Sequence, residues 1–138
     1  VTLITTTDRA LPTGVEVVRV ETADEMHRAV SERAVRADVV VMAAAVADFR
    51  PSTTTAHKLK KEEGAPTIVL EPTDDVLSAL VAARPDRQVV VGFAAETGDD
   101  RADWLQHGRQ KLARKGCDLL VVNEVGDGLG ELISEVSE

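Results

Sequence analysis

The sequence predicts an α/β layered sheet, mostly parallel and flanked by helices with right-handed crossovers. Three observations carry that reading. Short β-branched runs ("VTLI", "VEVVRV", "ADVVVMAAAV", "QVVVGFAAE", "CDLLVVNEV") alternate with segments of helical spacing. The inner runs are continuously apolar, as expected of parallel strands covered on both faces. At 138 residues and 43% hydrophobic composition, the chain suits one domain, 1–138, around one core.

The first strand spans 1–5, and a Pro/Gly loop, "DRALPTG", separates it from "VEVVRV". Thr22 and Glu25 then fit a T-x-x-E capping box, and Met26, Ala29, Val30 and Ala34 recur at helical spacing behind it. "ADVVVMAAAV" is the next strand. Beyond Asp48 pattern is lost until a short β-branched strand, "TIVLE", at 67–71. "PTDDVLSALVAARP" is a helix capped by Thr73 or Asp74 and stopped at Pro85. "QVVVGFAAE" is a strand, "RADWLQHGRQKLARK" a helix turning Trp104, Leu105 and Leu112 inward, and "CDLLVVNEV" the last clear strand. The tail "GDGLGELISEVSE" has no assigned place. The opening directly on a strand, at Val1 without a methionine, reads as a piece of a longer chain.

Composition narrows the function. A net charge of −8 opposes non-specific nucleic-acid or anionic-membrane binding, so any bound anion must meet a local basic patch. With 2% aromatic residues, base-stacking platforms are scarce. A single cysteine, Cys117, forms no internal disulfide, and a cytoplasmic setting is the default. His27, His57 and His107 are scattered, without zinc or Ser-His spacing.

In open parallel sheets ligands bind outside the carboxyl ends of the strands. Those ends fall near 44–48, 92–97 and 123–125. "AAAVADF" offers small residues that let backbone approach a flat ligand, or simply pack a helix tightly. Asp48, at an expected buried strand end, needs a partner, a metal or a ligand hydroxyl. "KLKK" (Lys58, Lys60, Lys61) suits triphosphate oxygens from a mobile loop, although solvated surface lysines are commoner. Lys111 and Lys115 stand four apart and share a helix face, a second basic island, unless they only complement the helix dipole. Phe93 could wall a base or fill core. "GDGLG" lacks G-x-G-x-x-G spacing and follows the last clear strand, which ranks an NAD-linked oxidoreductase last.

The ordered motifs "AAAVADFRP", "KLKK", "TDDVL", "VGFAAET" and "KLARKGCDLLVVNEV" resemble the bacterial phosphopantothenate-cysteine ligase (phosphopantothenoylcysteine synthetase) family. In bacteria it is usually the C-terminal ligase domain of a bifunctional coenzyme A biosynthesis protein that also carries a flavin-dependent decarboxylase. The resemblance implies a Rossmann-like fold with a lid loop and a short dimerisation strand, the latter "TIVLE", and hence a homodimer. It implies CTP and Mg²⁺ (or Mn²⁺), with 4′-phosphopantothenate and L-cysteine as substrates. CTP activates the carboxylate as a cytidylyl acyl phosphate, and the cysteine amine then displaces CMP.

Carried over by motif, the CTP-binding residues are Ala43, Ala44, Ala45, Asp48, Lys58, Asp74, Asp75, Val76, Leu77, Phe93, Lys111 and Lys115. Lys58 is the catalytic lid residue. "TDDVL" departs from the family's N-P-D-I pattern, which bears on Asp74 more than on Asp75. The family's opening strand, glycine loop and asparagine segment find no counterpart from Val1 onward, so the chain reads as a partial ligase domain without its first βα unit. The competing reading is a non-catalytic nucleotide-binding or dimerisation module.

Overall fold

The computed structural model describes residues 1–53, 66–97, 103–124 and 132–136. The "KLKK" lysines, His57 and the "GDGLG" run lie outside these residues. Strands β1 (Thr2–Thr5) and β2 (Glu16–Arg19) precede helix α1 (Ala23–Ala34) and strand β3 (Val39–Met42). Then come β4 (Phe49–Pro51), β5 (Leu70–Pro72), α2 (Val76–Ala83), β6 (Val89–Glu96), α3 (Trp104–Lys115), β7 (Leu119–Glu124) and β8 (Leu132–Val136).

The main sheet runs β3-β6-β7-β8, parallel except for β8, while β1–β2 form a separate parallel pair. The α/β fold class is as expected. The tail left unplaced supplies β8, antiparallel to β7. "TIVLE" pairs later than expected: its strand is Leu70–Pro72, antiparallel to β4 in a two-stranded ribbon.

Each helix is set by its ends. At α1, Thr22 Oγ1 accepts from Glu25 N–H at 3.2 Å, and Glu25 Oε2 accepts from the backbones of Glu21 and Thr22. Those two N–H groups hold the Glu25 carboxyl below its ordinary pKa. At α3, Asp103 accepts from Gln106 N–H at 2.7 Å, and Gly116 closes the other end at φ 68°, where a side chain would be strained. At α2 the cap is Asp75, not Thr73 or Asp74.

One core cluster joins α1 (Met26, Ala29, Val30, Ala34) to Met42 of β3 and to Val76 and Leu80 of α2. The second centres on Val90, fully buried, with Ala94, Leu120, Val122 and Cys117 under Trp104 and Leu112 of α3. Leu105 is not part of it; the buried position on α3 is Gly108, where an added Cβ would lie 2.7 Å from Val122 Cγ2. Between the clusters, Gln88 Nε2 donates to the carbonyls of Ala34 and Ala37, both at 2.6 Å.

The continuous apolar run at β3 predicts cover on both faces, and the structure supplies it on one. Val40 and Met42 do pack against a core, but Val39 and Val41, pointing the other way, are 56% and 59% exposed. The described helices cover one face of this strand and leave the other open. Among the described residues no helix is long and apolar enough to cross a membrane.

Candidate functional site

The β3–β6 ladder stops at Met42 opposite Gly92, whereas the β6–β7 ladder continues to Glu96 opposite Glu124. Strand β6 therefore outruns β3, and beside its last residues the chain leaves β3 through Ala43, Ala44 and Ala45. All three alanines are exposed. Their small side chains leave main-chain groups approachable at this rim. Phe93, 38% exposed, sits on β6 just past the end of the β3 ladder.

The loop after β3 is tied to the entrance of α2. Thr73 N–H donates to the Asp48 carbonyl at 2.9 Å, and its hydroxyl donates to the Ala47 carbonyl. Asp48 itself is exposed, not buried as expected, because β3 ends at Met42 and Asp48 lies in the loop that follows it. Asp74 pairs with His27 of α1, Oδ2 to Nδ1 at 3.2 Å, which leaves Asp75 as the helix cap. Asp75 Oδ1 accepts from Ser78 N–H at 3.1 Å and Oδ2 from the Ser78 hydroxyl at 2.6 Å.

Both α3 lysines reach this region. Lys115 Nζ donates to Asp75 Oδ2, and Lys111 Nζ donates to Glu96 Oε1 at 2.7 Å. Burial works to raise the Asp75 pKa, but the hydrogen bonds from Lys115 and Ser78 overcome it and hold the carboxyl at about 2. Lys115 is 19% exposed at its side chain, so its ammonium is partly withdrawn from water and pairs instead of being solvated. The site thus contains two ion pairs, Glu96 with Lys111 and Asp75 with Lys115.

Of the positions singled out in the sequence, the three alanines, Asp75, Leu77, Phe93, Lys111 and Lys115 stand around the end of β3, the end of β6 and the mouth of α2. Val76 is buried in the core, so only its backbone can serve a ligand. Asp74 is directed to α1. Lys58 lies outside the described residues. Sequence reasoning missed Glu96 as the counter-charge of Lys111, Thr73 as the clasp between loops, and Asn123, whose Oδ1 near the end of β7 is buried without a hydrogen-bond partner among the described residues. That orphan acceptor is the kind of group a ligand N–H satisfies. Among the described residues no three His, Cys, Asp or Glu side chains gather as they would to hold a metal alone.

A model of the DNA/pantothenate metabolism flavoprotein C-terminal domain matches residues 1–136. The chain is 58% identical over 123 residues to the coenzyme A biosynthesis bifunctional protein CoaBC of Mycobacterium bovis, covering 85% of this chain and 29% of that protein. The crystal structure of the C-terminal domain of a CoaBC superposes with a TM-score of 0.73 at 31% identity, covering 97% of this chain and 63% of that one. A Cab2 variant in complex with phosphopantothenate-cysteine shares the fold, with a TM-score of 0.62 at 20% identity over 86% of this chain and 46% of that one. With a match running along nearly the whole sequence, the chain belongs to the DNA/pantothenate metabolism flavoprotein C-terminal domain family.

Proposed function

We propose that this chain is the CTP-binding part of a phosphopantothenate-cysteine ligase in coenzyme A biosynthesis. The carrying observation is the convergence of Lys111 and Lys115 on the mouth of α2 and the end of β6, at the rim where the exposed alanines Ala43–Ala45 leave β3. A triphosphate needs charge neutralisation and close positioning more than acid-base machinery, and lysines with main-chain donors supply both. The similarity to CoaBC, and the phosphopantothenate-cysteine held by the Cab2 protein of the same fold, favour the phosphopantothenate-cysteine ligase reading.

In this reading Ala43, Ala44 and Ala45 border the cytidine with Phe93, and the backbone of Val76 and Leu77 meets it at the α2 N-terminus. Asp75 caps that helix and holds Lys115 in reach. Asp48 faces solvent, where it can approach ribose or a cation carried by the nucleotide. Lys58 grips the phosphates while the phosphopantothenate carboxylate attacks the α-phosphorus of CTP and pyrophosphate leaves; the amine of L-cysteine then displaces CMP. Mg²⁺ (or Mn²⁺) belongs with the triphosphate, since magnesium is habitually held by substrate phosphates with one or two carboxylates. When bound, it supplies charge neutralisation on the phosphate oxygens.

We further propose a homodimer formed through the β4–β5 ribbon, where Phe49, Ile68, Val69 and Leu70 are all exposed apolar residues. A first βα unit ahead of Val1, a flavin-dependent decarboxylase partner domain and a cytoplasmic setting complete the proposal. A strand from such a unit would bridge the β1–β2 pair and β3, which lie in separate sheets.

The test is pyrophosphate release by the full-length protein carrying this domain, with CTP, Mg²⁺, 4′-phosphopantothenate and cysteine. Release that requires CTP and falls by orders of magnitude in Lys58→Ala is expected. Turnover unaffected by omitting CTP, or no binding of CTP at millimolar concentration, overturns the reading.

A further inference from the structure

Lys111 and Lys115 are each already paired with a carboxylate of this chain, Glu96 at 2.7 Å and Asp75. Asp75 has independent work, since it caps α2 and binds both the N–H and the hydroxyl of Ser78. Among the described residues, the Glu96 side chain makes no comparable contact with a helix end. It stands at the end of β6, on the strand that outruns β3, with 21% of its side chain exposed. Its described partner is one lysine of an anion site, and a mostly covered carboxylate in that position bears directly on how the site takes up and gives back anions.

We propose that Glu96 is a built-in counter-anion of Lys111, displaced when the phosphates arrive and recaptured when pyrophosphate leaves. The inference rests on the CTP-binding reading above and assigns a residue to the release side of that same site. Physically, the carboxylate lowers the cost of holding an ammonium only partly in water while the site is empty. With ligand present, it competes with the phosphate oxygens for the Lys111 ammonium, so it weakens the grip on any anion there. The two effects together make the site an ion-pair exchanger. The lysine is poised without ligand, and the product is held less tightly than two unopposed lysines would hold it. Glu96 is therefore a positioning residue that acts through Lys111.

The direction of the effect separates this from a merely structural carboxylate. Calorimetry on the full-length protein, with pyrophosphate and with CTP in the presence of Mg²⁺, should show Glu96→Gln and Glu96→Ala binding both anions more tightly, by roughly 5- to 10-fold for removal of the carboxylate that competes for Lys111. In a Lys111→Met background the same Glu96 substitution should lose most of that gain, and pyrophosphate should inhibit the Glu96→Gln enzyme at lower concentration than the parent. Unchanged or weaker anion binding by a folded Glu96→Gln protein overturns the proposal, as does an equal gain with and without Lys111. If the parent protein binds neither CTP nor pyrophosphate, the nucleotide reading itself has failed and this inference falls with it. Normal binding by the parent with no gain in the variants refutes the counter-anion role alone.

Discussion

Lys115, in the last turn of α3, donates to the carboxylate of Asp75, the residue that caps the start of α2. One ion pair thus joins the end of one helix to the beginning of another, and the carboxylate it uses also binds Ser78 twice. The consequence is measurable by NMR. The Asp75 carboxyl should titrate near 2, and in Lys115→Met it should move up toward the ordinary value for aspartate. The sign for stability follows from the depressed folded-state pKa. The contribution is present above the unfolded value near 4 and is lost as pH falls toward 2. Acid unfolding of Asp75→Asn should accordingly be flatter than that of the parent across this window. An Asp75 midpoint near 4 in the parent would contradict the geometry.

The close approach of α3 to β7 depends on the absence of a side chain at Gly108. Gly108→Ala would set a methyl 2.7 Å from Val122 Cγ2, on a residue that is itself buried. The alanine gain in helix propensity is about 1 kcal/mol, against an overpacking cost of about 1–3 kcal/mol. The expected outcome is a net loss of up to about 2 kcal/mol in urea unfolding. Gly108→Val should be worse, whereas Gly108→Ala with Val122→Ala should regain part of the loss.

Thr73 is the only clasp between the loop after β3 and the mouth of α2 that uses both a backbone and a side-chain donor among the described residues. Thr73→Val keeps the shape and removes the hydroxyl, with a cost near ~1 kcal/mol. Because the loop carries Asp48 and the three alanines, CTP affinity should fall by several-fold while the melting temperature moves by only a few degrees. An affinity equal to the parent's would separate the clasp from the site.

The β4–β5 ribbon offers Phe49 at 60% exposure and Ile68 at 66%, together with Val69 and Leu70. In the proposed homodimer, Leu70→Glu should shift the protein from dimer to monomer in sedimentation velocity, with its secondary structure retained by circular dichroism. A dimer of unchanged stability would place the interface elsewhere.

Burial pushes the Cys117 thiol up, and neighbouring Asp118 adds to the shift against weaker opposing contributions from backbone N–H groups and Arg84. Alkylation at pH 8 should be slow in the folded protein and fast in urea. Rapid labelling of the folded protein would mean that this part of the core opens.

The alternation of strands and helices was legible, and so was the start of α1, because a T-x-x-E box states its own partners three residues apart. The cap of α2 was not. In "TDDVL" any of three residues could serve, and contacts distant in sequence settle the choice: Thr73 is engaged by Ala47 and Asp74 by His27. The pairing of Lys111 with Glu96 was invisible for the same reason, being made across a helix and a strand. The apolar run at β3 announced a strand but not which of its faces the rest of the chain would cover. The tail "LISEV" carries few residues and no turn chemistry that distinguishes a strand from a short helix, and its ladder with β7 decides it.

Because β6 runs past the end of β3, the polar groups of Phe93, Ala94 and Ala95 along that stretch belong to peptide units. Peptide units survive every side-chain substitution except one to proline, which removes an N–H donor. A compound that competes by bonding to this strand edge would meet the same donors and acceptors in relatives that differ at many side chains. Resistance would have to come from shifting the chain or crowding the rim near Ala43, Ala44 and Phe93, changes that also obstruct the natural ligand.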